Sequence, residues 1–154
     1  MPHQHPNPHE VPVHIDREKY QSPKTTTHSA LYTLGKVQDG WQLFAEALDK
    51  HKEDKPLRKD EASIHVREDE HFYSRQVEYK IFVNSREKTV HVAVLSYEDV
   101  LKLAFDPVPE GPTVAFSVSY TRGEGSHREG QLDVGEVVTI NNGMNFNVSK
   151  TNKS

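Results

Sequence analysis

The sequence predicts an α+β protein built as two small units in tandem, each with one helix packed across a mixed sheet. Three observations predict it. The chain has 154 residues and only 34% hydrophobic residues, a balance that suits two thin cores better than one large one. Within each half, stretches of period-two alternation flank one short stretch of helical period. The apolar positions of the first half also recur, in the same order, in the second.

The second half spells out the elements. Tyr79-Lys-Ile-Phe-Val-Asn84 alternates and is rich in β formers, Ser85-Arg-Glu87 turns the chain, and Lys88–Val94 resumes the alternation with Val90, Val92 and Val94 on one face. That is a β-hairpin. Ser96 suits a helix N-cap, with Asp99 at capping-box spacing. Tyr97, Val100, Leu101 and Ala104 follow at helical spacing, and the helix ends before Pro107 and Pro109. Thr113–Tyr120 is a third strand. Arg122–Gly130 is a polar loop, and Gln131–Gly135 a short turn region centred on Leu132. Glu136–Ile140 and Met144–Val148 read as two final strands joined in a hairpin by Asn141-Asn-Gly143. The order ββαβ(β)β, one helix over one sheet, describes a β-grasp.

The first half matches this order. Val13-His-Ile-Asp16 matches Ile81-Phe-Val-Asn84, and Thr27 through Gly35 matches Ser96 through Ala104 without a gap. Trp41–Ala47 has the alternation of Val114–Tyr120. Leu57 pairs with Leu132, Ile64-His-Val66 with Val138-Thr-Ile140, and Phe72-Tyr-Ser74 with Phe146-Asn-Val-Ser149. The offset grows from 68 near the start to about 75 near the end, and the polar loop Arg122–Gly130 is the expected place for the extra residues. The predicted organisation is a disordered His- and Pro-rich arm over residues 1–10, a divergent first domain over 11–74, a linker over 75–78, a second domain over 79–148, and a flexible tail over 149–154.

Composition narrows the function. The net charge is −4. Pro12–Ser74 carries 10 basic and 12 acidic residues, and Arg75–Ser154 carries 9 and 10. Neither half is a basic patch, so nucleic-acid binding has no electrostatic support. There is no apolar run long enough for a membrane span and no apolar signal core, so the expectation is a cytoplasmic protein. The chain has no cysteine, which removes disulfides and thiolate chemistry.

Local candidates for chemistry are weak. His3, His5 and His9, with His14 behind them, place imidazoles at short spacing, but a Pro-interrupted arm supplies neither fixed geometry nor oriented partners for a metal. Ser63-x-His65 and Asp69-Glu70-His71 read as solvent-side polar residues of a strand and a turn, because no nucleophile elbow, phosphate loop or zinc helix accompanies them. No catalytic residue and no cofactor is expected. Trp41, Phe105 and Met144 are expected in the core. The three prolines in Asp106–Pro112 stop the helix and aim the next strand.

The stretch Tyr79–Asn84, the helix Ser96–Phe105 and the ending Gly143-Met-Asn-Phe-Asn-Val148 with Thr151 and Ser154 resemble the bacterial multiubiquitin domain. The second half resembles it over nearly its whole length; the first is similar in pattern. The resemblance implies two tandem ubiquitin-like β-grasp domains, similar in build to the interferon-induced tandem ubiquitin-like modifier of animals. It implies a protein modifier conjugated through its C-terminal carboxylate by E1-like and E2-like enzymes, with a JAB-type deubiquitinase-like peptidase and a target protein as further partners, in antiphage operons. Thr151, Asn152, Lys153 and Ser154 are then the conjugation tail, with Ser154 the attached residue. Modifiers of this type end in Gly-Gly, and this sequence contains no Gly-Gly. Six residues follow Val148 and span roughly 20 Å when stretched, which is enough reach for an activating enzyme, although Lys153 is bulky. The alternative is a non-conjugated adaptor that binds partners or self-associates through sheet faces and edges.

Overall fold

A computed structural model describes residues 8–121 and 129–152. The chain divides into two compact units, Met1–Gln76 and Val77–Ser154. The first contains β1 (Glu10–Ile15), β2 (Glu18–Pro23), β3 (Thr25–Thr27), α1 (His28–Leu34), β4 (Trp41–Ala45), β5 (Lys55–Leu57), β6 (Ser63–His65) and β7 (Glu70–Gln76). The second contains β8 (Tyr79–Val83), β9 (Arg86–Val90), β10 (Val94–Ser96), α2 (Tyr97–Ala104), β11 (Val114–Thr121), β12 (Glu129–Leu132), β13 (Val137–Thr139) and β14 (Asn145–Asn152).

Each unit has a five-stranded sheet and a two-stranded one. The large sheets run β2-β1-β7-β4-β5 and β12-β11-β14-β8-β9. In each, the first strand of the unit lies parallel to the last, β1 with β7 and β8 with β14, and the other pairs are antiparallel. Both units are compatible with the β-grasp of ubiquitin-like domains.

Local chemistry explains the elements. The hairpins β1–β2 and β8–β9 turn on Asp16-Arg17 (φ 51° and 71°) and Asn84-Ser85 (φ 50° and 68°). Two consecutive positive φ values match the twist of the flanking strands. The turn after β8 is therefore tighter than the expected Ser85–Glu87. Helix α2 starts on a complete capping box: the Ser96 hydroxyl accepts from Asp99 N–H at 3.1 Å, and the Asp99 carboxylate accepts from Ser96 N–H at 2.9 Å. Helix α1 starts on Thr27, whose hydroxyl accepts from Ala30 N–H at 3.1 Å.

Each unit has its own core. Val13, Ile15, Leu31, Tyr32, Leu43, Leu57, Val66 and Phe72 form the first. In the second, Ile81, Val83, Val100, Leu101, Val118, Leu132, Val138, Met144 and Phe146 are joined by Val90, Leu95, Tyr97, Ile140 and Val148. Met144 is fully buried, as expected. Phe105 packs on this core beside Phe116, with ring centroids 5.4 Å apart. Trp41 is only half-buried and lies outside the first core cluster.

Cross-strand registers align the halves residue by residue. Leu43 lies opposite Leu57, and Val118 opposite Leu132. Ala45 lies opposite Phe72, and Tyr120 opposite Phe146. Asp69 and Gly143, at φ 58° and 80°, donate to Pro12 O and Lys80 O at 2.7 and 2.8 Å. Trp41 thus corresponds to Phe116, not Val114, and Ser74 to Val148. The extra residues of the second unit fall between helix and third strand, in the proline-rich Phe105–Thr113 connection, and not in the Arg122–Gly130 loop. Prolines at 107, 109 and 112 keep that connection out of helix and ladder.

Four other expectations are corrected. His9 and Glu10 do not belong to a disordered arm: Glu10 opens β1, and the His9 carbonyl accepts from Lys24 N–H at 2.7 Å. Residues 1–7, with His3 and His5, lie outside the described residues. The linker is shorter than 75–78, since Arg75 and Gln76 pair with Gln42 and Trp41, while Val77 is buried and its carbonyl meets His91 Nδ1 at 3.2 Å. The second strand of the unit stops at Val90, a bend follows, and Val92 is exposed. Finally, Asn141–Gly143 does not close a hairpin: β13 pairs with β10, and β14 enters the main sheet. Asn142 Oδ1 accepts from Lys80 N–H at 3.0 Å, which ties this turn to β8 instead.

Candidate functional site

The C-terminal strand is where the expected conjugation residues fall. β14 pairs with β11 over its whole length, from Asn145 opposite Thr121 to Asn152 opposite Val114. Against β8 it pairs only at Asn145 and Phe146, because β8 turns away at Asn84. Asn84 then stands in for the missing strand. Its backbone N–H donates to Phe146 O at 2.9 Å. Its side-chain oxygen accepts from Val148 N–H at 2.8 Å, and its amide nitrogen donates to Val148 O at 3.1 Å. Beyond Val148, β14 continues with β11 as its one neighbouring strand among the described residues.

Ser149–Asn152 are therefore strand, not the expected flexible tail. The physical reason is β11, which begins at Val114 and offers donors and acceptors as far as Asn152. Thr151 is exposed, with its hydroxyl donating to Ala115 O at 3.4 Å. Lys153 and Ser154 lie outside the described residues. Segment 149–152 is held from one side, by bonds that each stabilise by about 1 kcal/mol net. It is the part of β14 with the fewest neighbouring strands among the described residues.

The first unit repeats the bridge. Asp16 N–H donates to Phe72 O at 3.0 Å, and its carboxylate accepts from Ser74 N–H at 2.7 Å and from the Ser74 hydroxyl at 2.6 Å. Here β7 ends at Gln76, and the chain runs on into the second unit. The bridging role of Asp16 and Asn84 is not visible in strand periodicity. The signal for it was their shared place in the repeat, each ending an apolar strand.

The other polar candidates do not converge. Ser63 and His65 are both exposed on β6, and His65 Nδ1 meets Thr25 Oγ1 at 2.9 Å. Glu70 turns inward and accepts from Arg67 N–H at 3.0 Å. Asp69 and His71 face His14 instead: Asp69 lies 3.1 Å from His14 Nε2, and the two imidazoles stack at 4.5 Å. Among the described residues no group of three or more His, Cys, Asp or Glu is placed to hold a metal. Tyr73 donates to Asp54 at 2.5 Å. Burial, then that hydrogen bond, pushes its hydroxyl up to about 12. The Ala47 N–H, then the same hydroxyl, holds the Asp54 carboxyl below its ordinary value. No helix among the described residues is long and apolar enough to cross a membrane.

One comparison bears on the second unit. Residues 79–152 match the Multiubiquitin family. The Multiubiquitin match begins with β8 and ends with the last residue of β14, so it takes in the Asn84 bridge and the one-sided segment 149–152. It supports a ubiquitin-like fold for the second unit, where the sequence resemblance placed it. No curated protein and no solved structure matches the chain.

Proposed function

We propose that the chain is a protein modifier of two tandem ubiquitin-like β-grasp domains, conjugated through its C-terminal carboxylate by E1-like and E2-like enzymes. The match of residues 79–152 to the Multiubiquitin family carries this reading. The chain catalyses nothing itself. Its partners are the activating and conjugating enzymes, a JAB-type deubiquitinase-like peptidase and a target protein, and the setting is a bacterial antiphage operon in the cytoplasm. Thr151, Asn152, Lys153 and Ser154 form the working end, with Ser154 attached when the chain ends there.

The one-sided pairing of β14 supports a specific first step. An activating enzyme adenylates a carboxylate reached through a narrow channel. Segment 149–152 leaves β11 to thread it, while the Asn84 bridge keeps Val148 and everything before it in the sheet. The protein folds with its tail stowed and releases it to the enzyme.

The test is co-expression of N-terminally tagged protein with its genomic neighbours, read by denaturing blot and intact mass. A ladder of heavier species that disappears on deletion of Lys153 and Ser154 is expected. A single unmodified mass, with the neighbouring enzymes demonstrably active, overturns the reading. The stowed tail and the absence of Gly-Gly favour one alternative. This is a non-conjugated adaptor or self-assembling protein that uses its sheet edges, which a concentration-dependent mass in light scattering would reveal.

A further inference from the structure

A cleft of about 610 Å³ opens in the second unit between the tip of the β8–β9 hairpin and the end of α2. Its surface is mainly polar: Arg86, Lys88 and Lys102 line it with Asn84 and with Asp106 as the single acid, beside Val83 and Leu103–Phe105. The placement follows from register. Arg86 and Lys88 lie opposite Val83 and Ile81, on the face of β9 that carries buried Val90. That face is covered by α2 only as far as Ala104. Past the helix end it is open, and the two side chains project into the gap that Lys102 borders from the last helical turn. Among the described residues none of these three cations has an ion-pair partner, since the Lys80–Glu87 pair uses the other face of the hairpin.

The fold does not require this charge. In the first unit the corresponding positions hold Glu18, opposite Ile15, and Tyr20, opposite Val13. Lys102 is the sixth residue after its N-cap Ser96, and Thr33 is the sixth after Thr27. The same architecture thus stands with an acid, an aromatic and a hydroxyl where the second unit has three cations. We propose that this cleft binds a small phosphate-bearing anion. Its volume is that of a small-molecule site, not of a flat protein contact. The guanidinium fork of Arg86 matches phosphate oxygens bidentately, and the two ammonium groups add point charges. The site lies on the helix side of the sheet, toward the hairpin tip, with Asn84 on its lining.

The experiment is a ¹H–¹⁵N NMR titration of the full chain with inorganic pyrophosphate at constant ionic strength. Saturable shifts confined to the amides of Arg86, Lys88 and Lys102–Asp106 are expected. A chain carrying Arg86→Glu, Lys88→Tyr and Lys102→Thr takes the first unit's residues. It is expected to keep its circular dichroism spectrum and bind at least about tenfold more weakly, since each charge-assisted contact removed is worth about a factor of ten or more. Should the triple variant not fold, the exposed Lys102→Thr change alone is read in the same way. Non-saturating shifts spread over all basic residues would overturn the proposal and leave the cations as guards of the β9 edge. A glutamate-rich peptide that binds the same amides more tightly than pyrophosphate would overturn the phosphate assignment.

Discussion

Asn84 does two jobs with one side chain: it tolerates positive φ in a tight turn, and it closes the gap between β8 and β14. Asn84→Gly separates them, because glycine keeps the turn and loses the bridge. It is expected to destabilise by about 1–3 kcal/mol in urea unfolding and to raise hydrogen exchange at the Val148 amide first. Gly35 is fixed by space, not by φ. A Cβ there would overlap Cγ2 of fully buried Ile15. Gly35→Ala is expected to cost about 1–3 kcal/mol by overpacking, read as a lower urea midpoint. Tyr73 sets an alkaline limit. Its folded hydroxyl, near 12, holds the proton more tightly than the unfolded one at 10.0. Its contribution is complete below the unfolded value and is lost as pH rises from 10 toward 12. Absorbance titration should show this phenol ionising late, and Tyr73→Phe should flatten the decline in stability over that window.

Among the elements, the Ser96–Asp99 box is the cap best suited to measurement. Ser96→Ala is expected to lose about 1 kcal/mol, with Thr27→Ala losing a similar amount from the first unit, each read by denaturant unfolding. The Ser96 cap was legible in the sequence, because capping is local chemistry at fixed spacing, and the repeat set Thr27 at the matching place. The hairpin β8–β9 and both helices were legible for the same reason, whereas β2 carries no clear alternation and was not. What failed was choice of partner. Alternation in Val137–Thr139 states which side chains face inward but not which strand lies alongside, and that strand is β10, not the adjacent β14. Val92 fits the alternation of its neighbours and is exposed, because the strand ends two residues earlier. Ser149–Asn152 looked like a tail because its polar residues match a solvated strand as well as a loop. Only the length of β11 decides between them.

For the whole molecule, the repeat was the most informative reading of the sequence. The pairs Leu57 and Leu132, Thr27 and Ser96, and Asp16 and Asn84 occupy equivalent places in two units with separate cores. The basic cleft is not legible in charge sums over each half, which hide three cations that converge on one gap. Its signal in the sequence is the contrast of Arg86, Lys88 and Lys102 with Glu18, Tyr20 and Thr33 at the matching places of the repeat. The central functional claim is that the C-terminal segment is stowed in the sheet and must leave it to be conjugated. The native chain has no cysteine, so Ala115→Cys with Thr151→Cys, opposite each other on β11 and β14, gives a clean disulfide clamp of suitable Cα spacing. Conjugation should be reconstituted with the partner enzymes on this variant, oxidised or reduced beforehand. The account predicts a ladder from the reduced chain and none from the clamped one. Equal ladders from both would contradict the release of segment 149–152, and no ladder from the reduced or native chain would contradict the modifier itself.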